Sequence, residues 1–297
     1  MNRSDFIKLL SFASFSGMSM QLQELKGFGD AQAPSPLMPA LFLGHGSPMN
    51  ALELNEFSLS WQKLGKDLPR PSAIVCLSAH WETKGTKVTA LEKPATIHDF
   101  GGFPQALFDV QYPAPGNLMV AKEIVSLVQH TQVSLDYEWG LDHGTWSVLK
   151  HLYPLADIPV LQISLDYTQS PLWHFQLAQD LKALRRKGVL ILGSGNIVHN
   201  LGMIAWDKVN APEYGYDWAL EISATFKKLI QSRDIASLAN YQNLGKAASL
   251  AVPTPEHFLP MLYILGVLEK DESFRFFNDK ALMGSLTMTS ILSLPEN

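Results

Sequence analysis

The sequence predicts one α/β domain: a mostly parallel or mixed central sheet flanked by helices, with a histidine-lined site at the carboxyl ends of the strands. Three observations lead there. Continuous apolar runs bounded by turn residues recur along the chain, as strands covered on both faces do. Capped helical stretches alternate with them. Histidines follow directly on several of the apolar runs, where open α/β sheets gather their sites.

Taken in order, MNRSDFIKLLSFASFSGMSM has a basic start and a short, apolar, Ser-rich middle. It is similar to a degraded twin-arginine export signal, with Ser4 where the second arginine would stand. Its apolar stretch is too short to span a bilayer. Residues 1–35 are read as an extension outside the fold, a tail on a cytoplasmic protein, with export as the alternative. The folded domain is expected over 36–297. ALFLG (40–44), AIVCLSA (73–79), IPVLQISL (158–165) and GVLILGSG (188–195) read as buried strands. RFFN and LTMTSIL near the end are expected to complete the sheet. Asn117 is the expected N-cap of a helix beginning NLMVAKEIV, and Ser170 that of one with Pro171 in its first turn and Gly188 as its stop. YDWALEISATFKKLIQS (216–232) is amphipathic. TPEHFLPMLYILGVLE is expected to start a helix with Thr254 as cap and Pro255 at its first position.

The 297 residues suffice for a sizeable core without disulfides. A formal net charge of −5 argues against a nucleic-acid binder, and the Arg185-Arg186-Lys187 cluster suits a solvated helix end. The single cysteine, Cys76, lies within an apolar run, so no Cys-rich zinc site is available. Any metal must be held by histidine and carboxylate. Ser47 in GHGSP does not fit a nucleophile elbow, which needs G-x-S-x-G; a serine hydrolase is rejected.

Of nine histidines, His45, His80 and His199 each stand just past a strand. Such rings converge when their strands are neighbours. His257 is expected in the first helical turn of TPEHF, where the dipole offers it nothing, while Glu256 beside it suits ordinary capping. His143 in LDHGTW lies between Asp142, which could orient it, and Gly144, which allows close ligand approach. His130, His151 and His174 fit structural roles. His98 lies in the Gly-rich IHDFGGFP loop, read as an aromatic-lined cover. An all-histidine site fits zinc or non-haem iron. Trp81, Trp146, Phe100 and Phe103 near these histidines suit a flat aromatic substrate.

The segments LFLGHGSPMNAL, SAHWET, TIHDFGGFPQALFDVQYPAPG, LDHGTWSVLKHLYP, SGNIVHN and PTPEHFLPMLYILG, in that order from about residue 38 to 290, resemble the DODA-type class III extradiol ring-cleavage dioxygenases of the LigB-like superfamily. The resemblance implies a single catalytic domain that cleaves a catechol with O₂ to a muconic semialdehyde. It implies one divalent metal, with Fe(II) expected for turnover and Zn(II) as an ion the site can carry. His45 and His80 are implied ligands. His257 stands where more distant members have glutamate. His199 is implied either as a further ligand or as an acid/base, and His143 as the second acid/base or a substrate-orienting group. Trp81, His98, Phe103 and Ser47 are expected around the substrate. No nucleic acid or membrane partner is expected. A zinc-dependent hydrolase on the same histidines is the alternative.

Overall fold

The computed structural model describes residues 37–295; the extension expected over 1–35 lies outside the described residues. Six of its strands form the main sheet: β1 (Ala40–Gly44), β2 (Ala73–Ser78), β3 (Val160–Gln162), β4 (Val189–Gly195), β5 (Ser273–Phe277) and β6 (Ser290–Leu294). Their spatial order is β3-β2-β4-β1-β6-β5. The first four run parallel, and β6 and β5 add antiparallel pairings at one edge. The sheet is mixed, as expected. The terminal strand is shorter than LTMTSIL, because Leu286–Thr287 turns aside to pair with Ala281–Leu282.

Side chains alternate across these strands, and both faces are covered. Leu41, Leu43, Ile74, Cys76, Leu190 and Leu192 pack beneath helices α1 (Glu56–Asp67) and α3 (His143–Leu152). Phe42, Val75, Leu77 and Ile191 face α2 (Leu118–Leu127), α4 (Pro171–Arg185), α5 (Asp217–Ser232) and α6 (Leu259–Val267). Two-sided burial is why these strands read as unbroken apolar runs. Two of the three expected caps fall where the sequence puts them. Asn117 accepts from the amides of Met119 and Val120, and Ser170 from that of Trp173.

One boundary differs. The last helix starts at Leu259, not at Pro255, and residues 256–258 form a turn. The His257 carbonyl accepts the Asn196 amide at 2.9 Å, so it is committed to the end of β4 instead of a first helical bond. Pro260 has no N–H to offer the Glu256 carbonyl. Thr254 does not cap a helix; its hydroxyl donates to Glu256 at 2.9 Å.

Arg185, expected at a solvated helix end, is instead fully buried, and its ion pair ties α4 to the segment leading into β5. Arg185 donates from Nη1 to Glu272 Oε2 at 2.7 Å, from Nη2 to Oε1, and from Nε to the Met38 carbonyl at 2.8 Å. Burial works to raise the pKa of Glu272, but the hydrogen bonds from Arg185 and the Glu269 amide hold it below the usual carboxylate range. Arg185→Met strands that carboxylate and is expected to cost about 3–5 kcal/mol in urea unfolding at neutral pH. Because the folded pKa is depressed, the pair's contribution is present above the unfolded pKa and fades as pH falls through the folded one. The gap between wild type and variant should therefore narrow on acidification.

Candidate metal centre

In the register of the parallel strands Gly44 stands opposite Gly195 and Ser78 opposite Ser194. β1, β2 and β4 therefore end at one level, and His45 and His80 leave them side by side. His257 arrives from the turn ahead of α6, which the Asn196–His257 bond fastens to β4. The ring centroids of His45, His80 and His257 form a nearly equilateral triangle, with sides of 5.1, 5.3 and 5.1 Å. One nitrogen from each ring lies within 4.8 Å of the others.

The outer hydrogen bonds decide which nitrogen each ring presents. Ser194 Oγ donates to the Gly144 carbonyl at 2.5 Å, so toward His45 Nδ1, 3.0 Å away, it can only accept. That puts the His45 proton on Nδ1 and a lone pair on Nε2. His257 Nδ1 donates to Glu256 Oε1 at 3.1 Å, with the same result. His80 Nδ1 faces Asp99 Oδ2 at 3.5 Å. With the His80 proton on Nδ1, on the side of Asp99, Nε2 of His45 and Nε2 of His80 meet at 3.3 Å as two lone pairs. That arrangement is repulsive without a cation between them, and an outer acceptor behind each ligating ring is how proteins orient metal-binding histidines. The residues fit a divalent ion.

Electrostatics agree. Burial, reinforced by the neighbouring rings, pushes the pKa values of His45 and His257 well below the ordinary histidine value. Burial and His143 push His80 down to about 3 against the pull of Asp99, and burial takes His199 down to about 4 against Glu256. Four neutral imidazoles result at physiological pH, the form that binds metal.

His143, the first residue of α3, stands beside this group, its ring 3.8 Å from that of His80. Its partner is not the adjacent Asp142. Asp142 is fully buried; it caps α3, accepts from Ser78 Oγ at 2.7 Å and from Gln162 Nε2 at 2.6 Å, and so fixes α3 against β2 and β3. The carboxylate that holds His143 is Asp99, taking the backbone amide on Oδ1 and Nδ1 on Oδ2, each at 2.9 Å. Burial works to raise the pKa of Asp99, but the bonds from His143 outweigh it and the net shift is downward. Gly144 serves a protein contact and not a ligand: a Cβ there would lie 2.5 Å from Ser78 Oγ and 2.8 Å from the His80 ring. His199 lies flat on His257, centroids 3.5 Å apart and planes 7° from parallel.

These histidines line a cavity of about 800 Å³. Phe100 and Phe103 form part of its wall. Ser47 also lines it, and its hydroxyl accepts the Met49 amide as cap of the 3-10 turn Pro48–Ala51. Gly46, at φ +60, makes the bend between His45 and that turn. The two other expected substrate contacts stand elsewhere. Trp81 is buried and stacks on Trp139 at 5.6 Å. His98 bonds the Val110 carbonyl at 3.0 Å and packs behind Phe100, against Trp146. His151 and His174 have internal partners, Asn50 and Tyr263; His130 lies three residues beyond the end of α2, against Trp173.

Neutral imidazoles converging at the carboxyl end of a buried mixed sheet, beside an aromatic-walled cavity, define a metal-dependent enzyme of the α/β class. Residues 39–292 match the family described as the catalytic LigB subunit of aromatic ring-opening dioxygenase. The chain belongs to this family and is an extradiol ring-opening dioxygenase. It is 49% identical over 261 residues to "4,5-DOPA dioxygenase extradiol" of Escherichia coli K12, covering 86% of this chain and 95% of that protein. It is 35% identical over 234 residues to the Beta vulgaris protein of the same name, covering 76% of this chain and 85% of that one. A crystallised Escherichia coli K12 protein described as uncharacterized has the same fold, with a TM-score of 0.75 and 43% identity over 86% of this chain and 99% of its own. Dioxygenases of this family use a non-haem metal, and the cluster for one is present.

Proposed function

We propose that the protein opens the ring of a DOPA-type catechol with O₂ to give a muconic semialdehyde, and that His45, His80 and His257 hold the ion. The observation that carries this reading is the convergence of one nitrogen from each ring, with a hydrogen bond to Ser194 behind His45, one to Glu256 behind His257, and Asp99 at 3.5 Å behind His80. When bound, Fe(II) supplies one centre on which the diol and O₂ meet and through which electron density passes from ring to oxygen. Zn(II) fits the same nitrogens without supplying that redox step.

The chain's own residues handle protons and position. Asp99 keeps the proton of His143 on Nδ1, so Nε2 is free to accept the proton of a catechol hydroxyl and return it later. His199 suits the second acid/base role better than a ligand role. Its ring lies parallel to His257 at 3.5 Å, so the in-plane lone pairs run in separate planes. Both cannot reach one ion at a bonding distance of about 2.1 Å. Phe100 and Phe103 exclude water and hold a flat ring.

The test is oxygen consumption on adding L-DOPA to protein loaded anaerobically with Fe(II), with product followed by visible absorbance. One O₂ consumed per DOPA and a yellow ring-opened product are expected. No uptake with DOPA or a panel of small catechols, despite bound iron, would transfer the reading to a zinc hydrolase using the same histidines.

A further inference from the structure

The cavity that holds the metal centre has an uneven charge. None of the described residues lining it is lysine or arginine, whereas Glu53, Glu56 and Asp99 all line it. Two of these carboxylates are already engaged. Asp99 is bound twice by His143, and Glu56 pairs with Lys280 at 2.7 Å. Glu53 is different. It is exposed at the cavity wall, it has no ion-pair partner among the described residues, and the side-chain amide of Asn55 approaches it at 3.5 Å, the limit of a hydrogen bond. Leu201 and Trp206 line the same cavity with most of their surface open to solvent, 63% and 74% exposed.

Resting on the catechol reading above, we propose that the cavity selects catechols that carry an ammonium group on a short side chain, that Glu53 is the residue that reads this charge, and that a side-chain carboxylate is not required for binding. The diol end is fixed by the metal centre, so the substituent must extend along the wall toward the mouth. There a hydrocarbon chain meets Leu201 and Trp206, and a cationic tip meets the uncompensated carboxylate of Glu53. An indole face also attracts an ammonium. An anionic tip meets no cation among the described lining residues and is repelled by Glu53. The chain's net charge of −5 acts in the same direction at long range. A zwitterionic amino acid such as DOPA gains the ammonium contact and loses part of it through its carboxylate. The decarboxylated amine should therefore bind at least as well as the amino acid.

The test is calorimetric binding to the full chain loaded with Zn(II), which removes turnover from the measurement. Four probes share the diol: dopamine, L-DOPA, methylcatechol and dihydrocaffeate, whose tips are cationic, zwitterionic, neutral and anionic. For wild type the expected order of affinity is dopamine first, with L-DOPA no tighter than it, and of the other two methylcatechol ahead of dihydrocaffeate; L-DOPA well ahead of dopamine would overturn the claim that the carboxylate is not required. An exposed charge contact gives steps of about twofold to fivefold between them. Glu53→Gln should bring dopamine, methylcatechol and dihydrocaffeate together, Glu53→Lys should reverse their order, and raising the salt concentration should flatten it in wild type and Glu53→Lys alike. The residue is exposed, so neither variant threatens the fold. Methylcatechol separates the two levels of the argument. If it binds while dihydrocaffeate ranks level with dopamine, or if Glu53→Lys leaves the order unchanged, charge selection by Glu53 is overturned and the catechol reading stands. If no probe binds, methylcatechol included, the catechol reading itself fails and charge selection fails with it.

Discussion

Replacing His45, His80 or His257 with alanine, one at a time, is expected to strip the protein of its metal and to abolish ring cleavage. On the proposed assignment each ring contributes one of three lone pairs, and the side chains that also stand close enough to share an ion with members of this triad, His143 with Asp99 and His199 with Glu256, are engaged otherwise. His199 is stacked in a parallel plane, and His143 is turned to Asp99. Removing even an outer partner of a ligating histidine costs about 10- to 100-fold in metal affinity, so loss of a ligand itself should exceed that. Metal per chain after dialysis, read by elemental analysis, should fall to background in all three variants. Ser194→Ala offers a graded comparison. It frees the His45 tautomer without removing the ring, and should weaken binding within about that 10- to 100-fold range. Metal retained at wild-type stoichiometry in His45→Ala would sink the assignment.

Much of this centre is legible in the sequence because strand ends are legible. A buried parallel strand is a run of apolar residues with no polar alternation, and the first polar residue after it marks the rim of the sheet. His45 and His80 are found this way, each one or two residues past its strand, and so is His199 after the turn that follows β4. What periodicity cannot show is a contact made by an irregular loop. Asp99 lies 44 residues before His143 in a stretch without helix or strand pattern. The neighbouring Asp142 is the obvious candidate, and it is taken by the helix cap and by Ser78 and Gln162. A signal was present: in IHDFGG an acid follows a histidine in a Gly-rich loop, which a mere cover does not require. Trp81 and His98 mislead for the converse reason. Each is adjacent in sequence to a site residue, but its own contacts turn it elsewhere, Trp81 onto Trp139 and His98 to the Val110 carbonyl, and adjacency does not reveal such contacts. The start of α6 is missed because Pro255 satisfies every local rule for a first helical position, while the bond that delays the helix comes from Asn196, distant in sequence.

The second large effect separates proton handling from metal binding. His143→Ala should retain the ion, since His143 is outside the triangle of His45, His80 and His257, yet lower kcat by about 10²- to 10⁴-fold through loss of a positioned acid/base. Asp99→Asn is the sharper variant because it preserves shape. The amide oxygen can keep the His143 backbone bond, but the amide nitrogen then faces Nδ1 as a donor. His143 must shed its Nδ1 proton and carry it on Nε2, so the ring presents the wrong tautomer to the substrate. In a serine-protease triad the equivalent exchange costs about 10⁴ in kcat. Because Asp99 also faces His80 at 3.5 Å, metal content must be measured alongside and the assay run at saturating metal. Asp142→Asn is the paired comparison. It keeps an oxygen for the α3 cap and should show up in stability, with kcat within a few-fold of wild type. If Asp142→Asn proved the slower enzyme and Asp99→Asn the unimpaired one, the orienting carboxylate would be the sequence neighbour after all, and the loop carrying Asp99 would return to being a cover.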